Sequence, residues 1–314
     1  PVWLKRGPLT RSSPAERRVI AEGMSAAARK SMMAGECKDH PTHLQARANK
    51  FFNEAMGMWS GLVSTALLTF VLFSSFDFSF LLTLSSLVST ASFVMMIIVI
   101  VRRQSVAGVS RKMMECYMVV FLSRLVAILP FEGYLPFDKS GDWLYQSCEG
   151  FGFLGAAFIC YCCRRSYAST YNASVDGINH LWLLAPTLGV ACVLHTNLDD
   201  YLPCDIAWAF ALYLEAVTVL PQLFMFMEEK STQPHTSHFL AAQALAKLMS
   251  FAFWASSFSE LAHEDHPINQ YAGHWVVVVQ LIQLVIMGDF VYHYVRCVRK
   301  GIPVSEMMHF VDAV

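Results

Sequence analysis

The sequence predicts an all-α fold, a polytopic transmembrane helical bundle with seven or eight spanning helices. Of its 314 residues 55% are hydrophobic and only 15% are charged, against about 25% charged residues in a soluble domain. The mean hydropathy is +0.42. From Gly57 onward, apolar runs near the ~20 residues that cross a bilayer as a helix alternate with short charged connections. Lipid offers the backbone no hydrogen bonds, so we expect these runs to be helices.

Eight apolar runs follow a polar, basic arm that occupies residues 1–56. The arm is too long and too mixed in composition for a secretory signal peptide, so we expect none there. Asp77 and its neighbours separate the first two runs, which form either a tight hairpin or one interrupted element; two separate spans are the favoured interpretation. The runs cover residues 57–76, 78–101, 113–130, 143–163, 180–195, 206–227, 239–261 and 273–294.

The placement of charge predicts the topology, because Lys and Arg accumulate on the side of the membrane to which short loops are not translocated. With eight spans, 20 of the 23 basic residues fall on one side, here called the basic side. Two more, Arg124 and Lys247, lie inside runs, and Lys139 lies opposite. The opposite connections, on what we call the acidic side, carry mostly Asp and Glu. Both termini are therefore predicted on the basic side.

Four ionisable residues inside the apolar runs stand out: Arg124, Glu215, Lys247 and Asp289. Charges inside a membrane are costly and usually face a polar interior, where they mark function by default. Two cations and two anions can neutralise each other in one interior network. Such a network either locks the helices together or lines a charged ligand cavity, and the residues alone leave both interpretations open.

The sixth run carries two further features. Asp205 and Trp208 lie near its start, on the same helical face as Glu215, and would extend a cavity toward the acidic side. Pro221 with Gln222 would interrupt the helical hydrogen-bond ladder and allow a kink.

No motif for catalysis, nucleic-acid binding or metal binding stands out, so we expect no enzyme, no cofactor and no metal. His263, Glu264, Asp265 and His266 lack the His-Glu-x-x-His spacing and fall in a connection, which favours a solvated acidic loop. The basic arm suits anionic lipid headgroups or a partner subunit.

Five stretches give the chain a resemblance to the KDEL receptors, the ER lumen protein-retaining receptors, over about two-thirds of its length. They are residues 105–112 (SVAGVSRK), 122–124 (LSR), 213–225 (YLEAVTVLPQLFM), 236–240 (TSHFL) and 289–292 (DFVY). The resemblance implies a seven-helix fold similar to PQ-loop and sugar-transporter proteins, in residues 78–301. Residues 57–77 would then be an extra N-terminal helix after the arm, and residues 302–314 a C-terminal tail.

The resemblance also implies a function and a site. Family members bind the C-terminal Lys/His-Asp-Glu-Leu signal of escaped luminal proteins in the acidic Golgi and release it in the ER. On matching positions, Arg124 would receive the cargo carboxylate. Asp205, Trp208 and Trp254 would line the ligand site, and Glu215 and Asp289 would couple protonation to conformation. Lys247 replaces a family arginine, which keeps the charge and loses the forked geometry.

The departures from the family pattern fall on the pocket. A family carboxylate is Ala127 here, a tyrosine is Ala246 and a cargo-binding arginine is Ser257. Residues 78–101 contain no Arg, Lys or His, so the first family span lacks its cargo-binding arginine and its pH-sensing histidine. These losses should weaken the binding of an acidic tetrapeptide.

Two functional hypotheses follow. The favoured one is a KDEL-receptor-like trafficking receptor in the ER and Golgi membranes, with a degraded cargo pocket. The alternative is a repurposed receptor scaffold that acts as a structural accessory subunit of a larger membrane complex, with the mitochondrial inner membrane as the alternative location. Residues 1–56 would then pack on neighbouring membrane subunits.

Overall fold

The computed structural model describes residue 57 and residues 59–71, 80–129, 143–195, 201–257 and 271–307. Helices joined by short turns make up these residues, with no strand among them. The helices are α1 (Trp59–Val71), α2 (Phe80–Arg103), α3 (Arg111–Ile128), α4 (Trp143–Tyr161), α5 (Leu181–Val193), α6 (Leu202–Val217), α7 (Leu220–Glu229), α8 (Pro234–Ser257) and α9 (Ala272–Lys300).

Each of the eight predicted apolar runs contains a helix, which confirms the all-α membrane fold. In the part of the chain that the structure describes, four helical segments are long and apolar enough to cross a membrane: α2, α6 with α7, α8, and most of α9. Two shorter helices, α1 and α5, are also apolar. α3 carries Arg111, Lys112, Glu115 and Arg124, charges that need partners inside the bundle.

The centre of the bundle is a cluster of aromatic rings from α2, α3 and α8. Phe93 makes edge-to-face contacts with Phe121 at 5.6 Å and with Phe239 at 5.0 Å between ring centroids. α4 approaches this cluster through glycines: a Cβ on Gly152 would lie 2.6 Å from the Phe121 ring, and one on Gly155 would lie 3.1 Å from Phe93. The side-chain-free face of α4 therefore lets its backbone lie close to α2 and α3.

Helix α1 lies antiparallel to α2, so the first two runs form two separate helices and not one interrupted helix. That both cross the membrane stays a prediction, because α1 is shorter than the helices that are long enough to span it. Phe70, near the end of α1, contacts Phe80 at the start of α2. Leu62 packs with Val88 of α2 and with Ala246 of α8. Ala246 has a small side chain, which leaves room for Leu62 of α1 against α8.

A hydrogen-bonded triad attaches the start of α1 to α8 and α9. Trp59 Nε1 donates to the Tyr294 hydroxyl at 3.0 Å, and that hydroxyl lies 2.7 Å from His238 Nδ1. The hydroxyl accepts from the indole and donates to the imidazole when His238 carries its proton on Nε2. One hydroxyl group thus connects α1, α8 and α9.

We expect Tyr294→Phe to loosen α1, because the substitution leaves the Trp59 and His238 nitrogens without their shared partner. The cost should be about 1–3 kcal/mol, measured as a lower unfolding midpoint in detergent. Tyr292→Phe is the matched control, since Tyr292 is 61% exposed and should change stability by under about 0.5 kcal/mol. Equal effects of the two substitutions would contradict this role for the triad.

The predicted interruption beside Pro221 is present. α6 ends at Val217, and α7 begins at Leu220 with Pro221 in its first turn. The buried Gln222 side chain contacts the α2–α3 loop: its Oε1 accepts from Ser110 N at 2.8 Å and its Nε2 donates to Gly108 O at 3.0 Å. The break between α6 and α7 therefore places the Gln222 side-chain amide where it hydrogen-bonds the α2–α3 loop.

The same loop is held from the other side by Asp176, which is 1% exposed. Its carboxylate accepts from the Ser110 hydroxyl at 2.8 Å and the Tyr171 hydroxyl at 2.6 Å. Burial and the bond to Asp176 raise the pKa of Tyr171 above its usual value. Ser110 in turn caps α3 by accepting from Met113 N. The family-like stretch 105–112 is thus a structural joint at the basic ends of the helices.

Several expectations concern residues outside those that the structure describes. They are the basic arm 1–56, the connection at Asp77, the tail 308–314, most of the acidic-side connections and the loop with His263, Glu264, Asp265 and His266. These expectations stay predictions.

Candidate functional site

A buried chain of charges crosses the middle of the bundle. Arg124 on α3 donates from Nη2 to Glu215 Oε2 at 2.7 Å and from Nη1 to Glu149 Oε2 at 3.1 Å. Lys247 on α8 donates to the other oxygen of Glu215 at 2.6 Å. The side chains are 2% to 12% exposed. Two cations and two anions neutralise each other there, as such burial requires.

Neutral polar groups complete the cluster, which we call the charge network (Arg124, Glu149, Glu215 and Lys247). Ser86 on α2 donates to the free oxygen of Glu149 at 2.5 Å. Gln283 on α9 donates to the backbone carbonyl of Glu215 at 3.0 Å. Helices α2, α3, α4, α6, α8 and α9 therefore all contribute to one hydrogen-bonded unit.

A small cavity adjoins the charge network, with a volume of about 30 Å³. A cavity of this size has room for water molecules but for no larger ligand. Serines of α2, the charge network and Gln280 of α9 supply its polar wall. Gln280 is 2% exposed, and its side-chain oxygen has no hydrogen-bond partner among the described residues. The wall thus carries charged donors and acceptors, but a peptide does not fit inside it in this conformation.

Two tryptophans close the cavity toward the acidic side. Trp208 on α6 and Trp254 on α8 meet edge-to-face with ring centroids 5.9 Å apart, and both line the cavity. They belong to an apolar cluster with Leu82, Ile128 and Tyr145, residues near the acidic-side ends of their helices. We call this cluster the aromatic plug. It lies between the charge network and the acidic-side ends of these helices.

The structure places Asp289 outside the interior, so its assignment to the charge network and to the ligand site is wrong. Its side chain is 88% exposed and lies 3.5 Å from His293, one turn along α9. The inward positions of α9 are Val276, Gln280, Gln283, Met287, Phe290, Tyr294 and Cys297. Their alternating spacing of four and three residues defines one helical face, and Asp289 lies on the opposite one.

Asp205 is buried, but it does not line the cavity in this conformation. It lies in the first turn of α6, where the positive end of the helix dipole favours a carboxylate. Trp208, one turn later, separates it from the charge network. Its predicted contact with a ligand remains a prediction.

The second anion of the charge network is Glu149 and not Asp289, which the sequence predicted. It is 2% exposed, and it lies near the middle of the fourth predicted run with no other charge beside it. The rule that identified Arg124 applies equally to Glu149, so the signal was present in the sequence. The buried serines and glutamines carry no comparable signal, because uncharged polar residues are common in membrane helices.

Comparisons with known proteins cover the part of the chain that contains the buried site. A model of the family "ER lumen protein retaining receptor" matches residues 105–257, the stretch that holds α3 to α8 and all four residues of the charge network. The "ER lumen protein-retaining receptor 2" of Danio rerio is 27% identical over 212 residues, which cover 67% of this chain and 91% of the relative.

Other receptors of this name align similarly. The "ER lumen protein-retaining receptor 2" of Xenopus laevis is 26% identical over the same shares of the two chains. The "ER lumen protein-retaining receptor 3" of Mus musculus is 26% identical over 66% of this chain and 88% of its own. The chain is thus a divergent relative of the ER lumen protein-retaining receptors, the KDEL receptors, over about two-thirds of its length.

Proposed function

We propose that the chain is a membrane receptor that binds C-terminal retention signals of luminal proteins at Arg124 and retrieves them from the Golgi to the ER. The observation that carries the proposal is the position of Arg124, a forked cation held inside a polar cavity beneath two tryptophans. A guanidinium binds a carboxylate through two parallel hydrogen bonds. The terminal carboxylate of a peptide is the natural partner for this geometry.

The charge of the site favours a signal that is less acidic than Lys-Asp-Glu-Leu. Glu149 and Glu215 already balance Arg124 and Lys247, so the cavity holds no surplus positive charge for acidic side chains. A ligand carboxylate must displace Glu149 from Arg124. The displaced Glu149 would keep its hydrogen bond from Ser86 or pair with a cationic group of the peptide. The aromatic plug must open as well, because the cavity of about 30 Å³ admits no peptide.

Peptide binding tests the proposal directly. We expect the purified protein to bind peptides with a free C-terminus more tightly at mildly acidic than at neutral pH, as retrieval from the Golgi requires. Amidation of the C-terminus should lower the affinity at least about tenfold, because it removes the charge-assisted bond to Arg124, worth roughly 1.5–3 kcal/mol. Peptides that replace the Asp-Glu pair with neutral residues should bind at least as well as the acidic ones.

A charge-balanced pair of substitutions distinguishes lost ligand binding from lost folding. Arg124→Gln alone leaves two carboxylates against one cation and should unfold part of the bundle. Arg124→Gln combined with Glu149→Gln keeps the network neutral, since Glu215 retains Lys247 at 2.6 Å. This double variant should fold and lose the discrimination between free and amidated peptides. If it retains that discrimination, Arg124 is not the carboxylate-binding residue.

One observation favours the alternative of a structural accessory subunit. Both terminal nitrogens of Arg124 already bind carboxylates of the chain itself, so the network is complete without a ligand. A structural subunit would bind no peptide at either pH, and its charge network would serve only to connect helices. Purification from native membranes separates the two functions, because a structural subunit should copurify with stoichiometric partners.

A further inference from the structure

A second cavity lies far from the charge network, on the outer surface of the bundle near the basic side. It is an open groove of about 840 Å³ between α1, α2 and the start of α8. Its walls are mainly apolar: Val94, Met95, Ile98 and Val99 of α2 face Gly61 and Leu62 of α1. We call it the α1–α2 groove. It exists because α1 is added to the seven-helix domain.

The basic end of the α1–α2 groove carries three cationic or proton-donating side chains. Arg102 and Arg103 lie in the last turn of α2 and are exposed, and neither forms an ion pair with another described residue. His235 in the first turn of α8 also lines the groove. It is only 7% exposed, and both its ring nitrogens lack a hydrogen-bond partner within the described ranges.

An unpartnered buried imidazole is an unfavourable arrangement unless something binds it, because desolvating such a group costs about 1–3 kcal/mol. His235 shares this end of the groove with two arginines, so an anion with several oxygen acceptors would satisfy all three side chains. Phosphate oxygens suit arginine and imidazole donors. The charge at this end is therefore complementary to a phosphate group.

The dimensions of the groove match one leaflet of a bilayer. Its wall from Leu87 to Val99 extends about 18 Å along the helix axis at 1.5 Å per residue. Half of a hydrocarbon core of about 30 Å is about 15 Å. The two arginines follow directly, at the depth of the headgroups. A molecule with an apolar chain of leaflet length and an anionic phosphate head fits both parts.

We propose that the α1–α2 groove is a binding site for an anionic glycerophospholipid of the leaflet on the basic side. One acyl chain lies along α2 between Leu87 and Val99, and the phosphate binds Arg102, Arg103 and His235. Phospholipid is favoured over a protein segment because the wall is mainly apolar over the length of one leaflet and ends at two exposed arginines. The anionic lipids of a cytoplasmic leaflet also gain about 1 kcal/mol per nearby Lys or Arg.

Two glycines of α1 make the acyl part of the site testable without damage to the bundle. Gly57 and Gly61 line the groove, and a Cβ on either one meets no atom within 4 Å. Gly61→Phe therefore projects a ring into the groove and no clash with the chain results. Gly288→Phe is the matched control, because Gly288 also has open space around its Cβ and lies on the exposed face of α9.

The experiment measures lipid retention by the full chain in detergent, with phosphatidylserine and phosphatidylcholine as probes and native mass spectrometry as the readout. We expect one phosphatidylserine to remain bound in preference to phosphatidylcholine. Arg102→Gln with Arg103→Gln should weaken its binding about tenfold to thirtyfold, from two charges near the surface. Arg299→Gln with Lys300→Gln, the same charge change at the end of α9, should leave it within about twofold.

Gly61→Phe should abolish retention of the bound lipid, whereas Gly288→Phe should not. Retention that is equal in all four variants would show unspecific lipid and overturn the proposal. A photoactivatable acyl chain should label α2 within residues 87–99. If Gly61→Cys instead cross-links to residues 1–56 or to a second copy of the chain, the groove is a protein contact and the lipid site is excluded. None of these outcomes depends on peptide binding at Arg124.

Discussion

Glu215→Gln should be, with Arg124→Gln, among the most destabilising single substitutions in the charge network. Glu215 accepts from Arg124 with one oxygen and from Lys247 with the other, so its loss leaves two buried cations with only Glu149. Removing one partner of a buried ion pair costs about 3–5 kcal/mol. The unfolding midpoint should fall by roughly 10 °C for a chain of this size.

The control for this substitution is Asp289→Asn. It also removes one carboxylate, but this carboxylate is exposed. It should change the midpoint by less than about 2 °C, as a surface substitution of under 0.5 kcal/mol does. Lys247→Met added to Glu215→Gln should recover part of the loss, because the remaining Arg124–Glu149 pair is neutral. A mild effect of Glu215→Gln would contradict a buried, mutually dependent network.

Sequence patterns predicted the helices well because hydropathy and helix length are local properties. Every predicted run contains a helix, and the break at Pro221 follows from the missing amide hydrogen of proline. The α1–α2 hairpin was left open between two alternatives, since Asp77 and a few polar neighbours do not fix how the chain turns. Contacts between Phe70 and Phe80 decide it, and those contacts are tertiary.

The sequence predicted that a charge network exists and identified three of its four residues. Arg124, Glu215 and Lys247 were identified because an ionisable residue inside an apolar run is conspicuous in any sequence. Asp289 satisfies the same rule and faces outward. The distinction requires the helical phase of α9, whose buried positions are set by packing against its neighbours. The sequence alone does not show whether a carboxylate in an apolar run faces the interior of the bundle or its outer surface.

The cavity itself could not be predicted from sequence. Its volume depends on how Trp208 and Trp254 pack and on which carboxylate the Arg124 fork selects, and both follow from side-chain rotamers in the assembled bundle. The family resemblance directs attention to the missing arginines and to Ala127, Ala246 and Ser257. It gives no hint that Glu149 supplies a carboxylate from within the chain.

Glu149 places a carboxylate of the chain itself on Arg124, so this side chain is not free for a ligand in the present conformation. Its oxygen lies 3.1 Å from Arg124 Nη1, in the position where the carboxylate of a bound peptide would accept a hydrogen bond. An intramolecular partner always competes with a ligand, because it is present at high effective concentration. Under the proposed function, Glu149 should therefore lower the apparent affinity for any ligand that binds Arg124 through a carboxylate.

We accordingly expect Glu149→Gln to increase the affinity for peptides with a free C-terminus by about tenfold or more. The substitution frees one branch of the Arg124 fork and leaves the cavity with a net positive charge, which a ligand carboxylate neutralises. A charge-assisted hydrogen bond contributes roughly 1.5–3 kcal/mol, and each 1.4 kcal/mol is a factor of ten. Calorimetric titration with free and amidated peptides measures the difference.

Glu149→Gln should also show the competition between Glu149 and the peptide in the stability of the protein. It should lower the stability of the ligand-free protein although it raises the affinity for the peptide. Without ligand, Glu149→Gln should lower the unfolding midpoint, because Arg124 keeps only Glu215 as its anion. Added peptide should then raise the midpoint more than it does for the unaltered protein, since a tighter ligand stabilises by more at the same concentration. Glu115→Gln, which alters a carboxylate at the basic end of α3, should show no such gain. If Glu149→Gln lowers stability and peptides restore none of it, Arg124 serves the architecture of the bundle alone, and the receptor function is excluded.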